Sequence, residues 1–466
     1  MSENGTVEIK ENKGIDRRNF LKLAGYSTLG SAAALHLGNP SDAKACSSPP
    51  PSCGGSGFWN WVQRRFVLDP DKVYMNIGTT GSMPRHVLRN YDRYNHIVAE
   101  DPWHMKGEWG DFPYVSELIA AIAPQFGCDT DELVLSRNTT DGMCTILGGL
   151  DLNEGDRILT THHEHIAALS PLMILADRRG VQVEYLEIPV FPTCEEDYLQ
   201  VFADAIAAGP KPKLIVFSHI TYKSGARLPA ARICNELAVP NGIATFIDGA
   251  HAPGMLNLDF HAINCDFYSG SGHKWQCGPG ATGLLYIRDE TNRVKEFWGQ
   301  EQVYWPINAS LYPAAGAFNL ATQLQYVGND NYPAKRALAD SCEFWSQIGR
   351  DRIEEYVLSL SAYCKQKIRQ SFGDAAVLYS PDVPELSSGI TSFNPFPDQS
   401  DFDSILTFRD RLREEYDFII RYTDFKIHND DANNTYAMRI STHLFHDFRQ
   451  VRQLVDAMYD LYRDMV

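Results

Sequence analysis

The sequence predicts an α/β fold built on a mostly parallel, mixed sheet, and three observations carry that prediction. From Val73 onward, short β-branched runs alternate with longer segments whose apolar residues recur at helical spacing. The composition is that of an ordinary globular protein, with 44% apolar, 22% charged and 11% aromatic residues, which excludes disordered, collagen-like and rod-like chains. At 466 residues, and with about 150 residues per domain, two or three domains and a large core are expected.

Taken in order, strands are expected over 133–136, 157–160, 181–186, 214–218, 244–247, 266–269 and 283–287, with helices such as 198–208 and 230–239 between them. In such a sheet, ligands gather at the carboxyl ends of the strands. After about Tyr332 the pattern changes to long helical patterns over 334–372, a strand over 388–393 and a closing helix from His446 to the C-terminus. The expected organisation is a leader over 1–45, a linker over 46–72, a large domain over 73–331 and a smaller α+β domain over 332–466, which the segment before Tyr91 is expected to join.

Fifty-nine acidic against 42 basic residues leave a net charge of −17. That balance disfavours binding to a nucleic-acid backbone and fits a soluble acidic enzyme acting on a small molecule. The ten cysteines are too dilute for a disulfide scaffold.

In the leader, Arg17-Arg18-Asn19-Phe20-Leu21-Lys22 precedes a weakly apolar stretch from about Leu23 to Leu37 that glycines and hydroxyl residues interrupt. It resembles a twin-arginine export signal, and it falls short of the roughly 20 apolar residues a stable span requires. Ala43-Lys44-Ala45 offers a small-x-small cleavage site, leaving Cys46 first in the mature chain. The expectation is therefore a periplasmic protein, carried folded by the twin-arginine machinery and not membrane-bound once processed. Cys46 is then either free, lipidated or paired with Cys53 in an oxidising compartment.

The most informative residues are Phe246-Ile247-Asp248-Gly249-Ala250-His251-Ala252-Pro253-Gly254 and Ser269-Gly270-Ser271-Gly272-His273-Lys274-Trp275. One apolar strand delivers Asp248 at its carboxyl end, and Lys274 follows 26 residues later at the end of a second strand. Pyridoxal phosphate needs this pair: a lysine for the Schiff base and a carboxylate for the pyridine nitrogen.

On these motifs the chain resembles the class V aminotransferase group of fold-type I pyridoxal phosphate enzymes, and most closely its isopenicillin N epimerase-like branch. The resemblance implies Lys274 as Schiff-base lysine, Asp248 as pyridinium partner, and His251 near the ring hydroxyl. In Ser136-Arg137-Asn138-Thr139-Thr140-Asp141-Gly142, between a strand and a helical pattern, Asn138 stands where the family has Gly. Thr139 and Thr140 are therefore expected to take the phosphate at a helix N-terminus, with Ser271 and His273 completing the cup. The resemblance further implies that Thr322 reaches the phosphate of a second subunit in a homodimer. It also implies that Arg439, in Met438-Arg439-Ile440-Ser441-Thr442-His443, pairs with a substrate α-carboxylate. Asn76 belongs to the Asn76-Ile77-Gly78-Thr79-Thr80-Gly81 stretch that looks like the family's substrate loop.

Thr161-His162-His163-Glu164-His165 admits two readings. A metal-dependent hydrolase would use the histidine cluster, but zincin spacing from His163 requires a histidine where Ala167 stands. In the family reading the imidazole of His165 lies on the pyridine ring; a satisfied core histidine is the plain alternative. Tyr222 replaces an Asn that many relatives place beside the cofactor, and it or Lys223 is a candidate extra acid or base. No cysteine follows Cys364, which argues against a persulfide-forming desulfurase. The expected function is an epimerase or aminotransferase acting at Cα of an amino acid or amine-bearing peptide. A pyridoxal phosphate C–S lyase working by β-elimination, the metal hydrolase and a catalytically silent ligand-binding relative are its rivals.

Overall fold

The computed structural model describes residues 56–102, 115–309 and 319–466. The leader, the Cys46 and Cys53 positions and the cleavage site lie outside them. The strands are β1 (Val73–Tyr74), β2 (Leu133–Val134), β3 (Arg157–Thr161), β4 (Gln182–Leu186), β5 (Leu214–Ser218), β6 (Ala244–Gly249), β7 (Phe267–Ser271), β8 (Gly283–Ile287), β9 (Val377–Leu378), β10 (Ile390–Asn394), β11 (Phe418–Ile419), β12 (Arg421–Phe425) and β13 (Thr435–Ser441). Seven of them form the central sheet in the order β2-β8-β7-β6-β5-β3-β4. Pairing is parallel from β4 through β7 and antiparallel only at β7–β8 and β8–β2.

This is the expected α/β architecture, and its physical cause is visible in burial. Every residue of β3, β5, β6, β7 and β8 is buried, as in a sheet with both faces covered, whereas the edge strand β4 is largely open. The strands end on or beside the residues of interest: Asp248 is the penultimate residue of β6, Ser271 closes β7 and leads to Lys274, and β3 runs toward His165.

A second sheet, β12-β13-β10-β9, lies in the C-terminal third. β1 pairs in parallel with β11 through Val73–Phe418 and Tyr74–Ile419. Ser56–Gln63, inside the stretch expected to be a linker, is instead a helix that buries Phe58 and Val62. One apolar cluster runs from Phe58 and Val62 through Phe217 and Trp275 to Trp345 and Ile390.

Two helical expectations change in detail. The patterns over 334–372 form two helices, Tyr332–Ile348 and Arg350–Phe372, because Gly349 at φ 98° occupies a conformation other residues avoid. The stretch over 230–239 is α-helical only at Ala230–Arg232 and then widens to a π-turn over Ile233–Ala238, ahead of Pro240, which lacks an N–H to continue the ladder. Among the described residues no helix is long and apolar enough to cross a membrane.

Candidate active site

A cavity of about 810 Å3 opens at the carboxyl ends of the central strands, and ten of the twelve residues singled out from sequence line it: Lys274, Asp248, His165, Thr139, Thr140, His251, Ser271, His273, Tyr222 and Arg439. Neighbouring strands explain the convergence. Asp248 pairs with Ser269 across β6 and β7, and the chain beyond β7 turns through Gly272 and His273 to present Lys274 to the same space.

Lys274 is partly buried. Burial lowers its ammonium to about 8, Asp248 opposes that, and Arg439 and Arg421 add to it. Asp248 is raised above the usual carboxylate range by burial, against the opposing effects of the Ala250 N–H and Lys274. Its Oδ1 accepts the Ala250 N–H at 2.9 Å. No other hydrogen bond from the described residues reaches that carboxylate, so one oxygen remains to accept a proton donor from the cavity.

The 76–81 segment reaches Lys274 through a glycine. A side chain at Gly81 would place Cβ 2.1 Å from the Lys274 carbonyl oxygen, and the Gly81 N–H donates to His273 O at 2.7 Å. Asn76 does not line the cavity itself; its Oδ1 accepts from Arg439 Nη2 at 3.4 Å and from Thr79 Oγ1 at 2.9 Å. Arg439, 2% exposed, also donates from Nη1 to the Tyr222 carbonyl at 3.1 Å. Burial, and next the neighbouring Arg421, lower its guanidinium to about 9, and its buried Nε has no partner. An anion in the cavity would relieve both conditions.

Thr139, Thr140, Ser271 and His273 all line the cavity. Helix Thr139–Gly149 begins at the cavity, and Asn138 caps it by accepting the Asp141 N–H at 2.9 Å. Asn138 therefore serves as cap where the family has Gly, and leaves Thr139 and Thr140 to the cavity. Thr139 Oγ1 and Ser271 Oγ share a hydrogen bond of 2.7 Å. The His273 ring nitrogen is 3.5 Å from Thr282 O.

The histidine-rich stretch divides. His162 and His163 stack on one another at 4.0 Å and place their Nε2 atoms against the carbonyls of Ile427 and Lys426 at 3.4 and 3.1 Å. His165 alone faces the cavity, with Nδ1 accepting the Ala167 N–H at 3.1 Å and its ring edge-on to Tyr222. The three imidazoles do not converge as metal ligands; the group of potential ligands that does converge among the described residues is Asp129, Glu132 and His261. Burial, then Lys274, lowers His165 to about 4, and burial followed by Lys274 and Arg439 holds His251 well below the ordinary range. Both rings are neutral walls at pH 7. His251 Nδ1 is fixed by the Trp275 indole N–H at 3.2 Å.

Thr322 stands in the first turn of helix Leu320–Gln325, its N–H donated to Asn319 Oδ1 at 2.7 Å, and does not line the cavity. Lys223 does not line it either. Sequence reasoning missed Arg421, Thr79, Arg137 and Cys144, which do. Arg421 carries no motif of its own; only strand register brings it to the site.

Comparison with known proteins supplies the context. The model of the aminotransferase class-V family matches residues 114–408. The isopenicillin N epimerase of Streptomyces clavuligerus is 30% identical over 345 residues, 72% of this chain and 84% of that protein. A cysteine desulfurase of Enterobacter sp. (strain 638) is 28% identical over 270 residues, 57% of this chain and 62% of that protein. Among solved structures, the cystine C–S lyase C-DES in complex with its reaction product cysteine persulfide superposes with a TM-score of 0.69 at 23% identity, over 84% of this chain and 98% of that one.

Proposed function

The chain belongs to the aminotransferase class-V family, and on that premise we propose that it is a pyridoxal phosphate enzyme of the epimerase or aminotransferase type, acting at Cα of an amino acid or amine-bearing peptide. The observation that carries this reading is the meeting of Lys274, Asp248 and Arg439 in one cavity.

The residues fit the cofactor: a lysine of lowered basicity, a buried carboxylate with one oxygen unclaimed, hydroxyls at a helix N-terminus, and a buried guanidinium with an unpartnered Nε. When bound, pyridoxal phosphate supplies an electron sink for a bond broken at the substrate's Cα. Thr139, Thr140, Ser271 and the N–H groups of helix Thr139–Gly149 hold its phosphate. Asp248 holds the proton on the ring nitrogen. His165 and His251, both neutral, wall the ring without competing for that charge. Arg439 fixes the substrate carboxylate and so orients the Cα–H bond. With the cofactor bound, Lys274 Nζ would act as the general base at the Cα–H bond and as the general acid in the proton's later delivery.

The lyase reading draws on the desulfurase likeness. Cys144 is the cysteine that lines the cavity, and burial and next Asp141 raise its thiol above the ordinary value, the opposite of what a persulfide-forming nucleophile requires. This argues against a persulfide-forming desulfurase; a C–S lyase working by β-elimination needs no such nucleophile and stands as the second reading.

The leader directs the folded enzyme through the twin-arginine machinery to the periplasm, a reading supported by Arg17-Arg18-Asn19-Phe20-Leu21-Lys22 and the Ala43-Lys44-Ala45 site. Replacing both arginines by lysine then retains the protein in the cytoplasm. The working unit is a homodimer in which Thr322 serves the neighbouring subunit, and light scattering at twice the chain mass is the expected result. Exchange of the Cα proton in heavy water tests the activity. Amino acids and amine-bearing peptides screened against the holoenzyme should include some that exchange, and the absence of any exchange contradicts the reading.

A further inference from the structure

Strands β12 and β13 pair antiparallel with Arg421 directly opposite Arg439. Residues in that register project from the same face of the sheet, where two like charges repel. Both guanidinium groups line the cavity and both donate to the same oxygen, Thr79 Oγ1, at 3.4 Å from Arg421 Nη1 and 3.3 Å from Arg439 Nη2. The remaining partners of Arg439 are the neutral Tyr222 carbonyl and the Asn76 amide oxygen.

Other partly buried arginines meet carboxylates, Arg157 with Glu184, Arg227 with Glu354 and Arg293 with Asp266. Among the described residues no carboxylate forms a salt bridge with Arg421 or Arg439. The other charged groups of the cavity are already matched, Arg137 by Asp141 at 2.7 Å and Lys274 by the field of Asp248. Two cations therefore face the same space without counter-charge, on the sheet that carries neither Lys274 nor Asp248. They also differ in depth. Arg439 is 2% exposed, whereas Arg421 is exposed.

We propose that the site selects a substrate bearing a second anionic group beyond its α-carboxylate, with Arg439 holding the α-carboxylate inside and Arg421 binding the second anion toward the mouth of the cavity. This rests on the amino-acid reading given above and narrows its substrate class. The 3.4 Å contact to Thr79 leaves the exposed Arg421 guanidinium able to turn toward a ligand, and a doubly anionic ligand cancels a repulsion that a neutral side chain leaves in place.

The test uses holoenzyme and three probes of similar length: 2-aminohexanoate, 2-aminoadipate and homocysteate. Affinity is read from the change in the cofactor's visible band, with Cα proton exchange as the second readout. The wild-type protein should bind 2-aminoadipate or homocysteate at least about tenfold more tightly than 2-aminohexanoate. Which of the two wins identifies the anion as carboxylate or sulfonate. Arg421→Gln should erase the preference, weakening 2-aminoadipate and homocysteate at least about tenfold more than 2-aminohexanoate, and Arg421→Lys should restore part of it. Equal affinities in the wild-type protein overturn the proposal without any variant. An equal loss for all three probes in Arg421→Gln also overturns it, since Arg421 then clamps the same carboxylate as Arg439. If 2-aminohexanoate is processed without a preference, the functional reading stands and this proposal falls; if nothing perturbs the band or exchanges, both fall.

Discussion

The buried carboxylate of Glu164 accepts both the N–H of Ser218, at 3.1 Å, and its hydroxyl, at 2.5 Å. The Thr161 hydroxyl adds a third bond at 2.6 Å, so one carboxylate ties together the ends of the neighbouring strands β3 and β5 beside His165. Burial raises Glu164 to about 7, against the Ser218 and Thr161 hydrogen bonds. The folded state thus keeps this proton to higher pH than the unfolded state, whose value is 4.5.

The sign follows by linkage. Stability from this group is fully present below about 4.5 and is lost as pH rises to about 7, on the order of 3 kcal/mol in all. Glu164→Gln removes the titration and should flatten that part of the profile. Thermal unfolding of both proteins across this range checks it; parallel profiles contradict it.

Asp248→Asn keeps an acceptor for the Ala250 N–H but removes the buried charge. Cofactor should still bind, while Cα exchange falls at least about a hundredfold, the scale of losing one preorganised electrostatic group. Exchange within a few-fold of wild type would remove Asp248 from the chemistry.

Arg439→Lys retains a cation but loses the planar fork and its contacts to Tyr222 and Asn76. A rise in KM of about tenfold to a hundredfold is expected, with a smaller change in kcat. Rescue by lysine to near wild-type KM would show that charge alone suffices.

Capture of pyridoxal phosphate by the apoenzyme depends on the neutral amine of Lys274. Because burial brings that group to about 8, the capture rate should climb with pH to a plateau with a midpoint there. In Asp248→Asn the midpoint should move to lower pH, since the carboxylate is what holds the ammonium up. A rate still climbing in step with an ordinary lysine near 10.5 contradicts the burial of this amine.

Much of this site was legible because its chemistry is local in sequence. Asp248 and Lys274 each close an apolar β run, and a parallel sheet places neighbouring strand ends together, so residue type and strand pattern located both. Thr139 and Thr140 were legible for the same reason, as a strand-to-helix turn. Arg421 was not, because its place depends on the β12–β13 register, and Arg421-Tyr422-Thr423-Asp424-Phe425 alone shows no ligand pattern. The break at Gly349 went unseen because a glycine inside a helical pattern does not reveal its φ. The histidine cluster was ambiguous for a different reason. Its three imidazoles point to separate partners, and spacing along the chain does not record side-chain direction.

The central claim is that Lys274 is the residue to which pyridoxal phosphate is joined. Borohydride reduction of the purified holoprotein, followed by peptide mass mapping, tests it most directly. Loss of the visible band with the reduced cofactor found on the peptide containing Lys274 is the predicted result. A label on another lysine, no cofactor label at all, or a Lys274→Ala protein that still exchanges the Cα proton would contradict it.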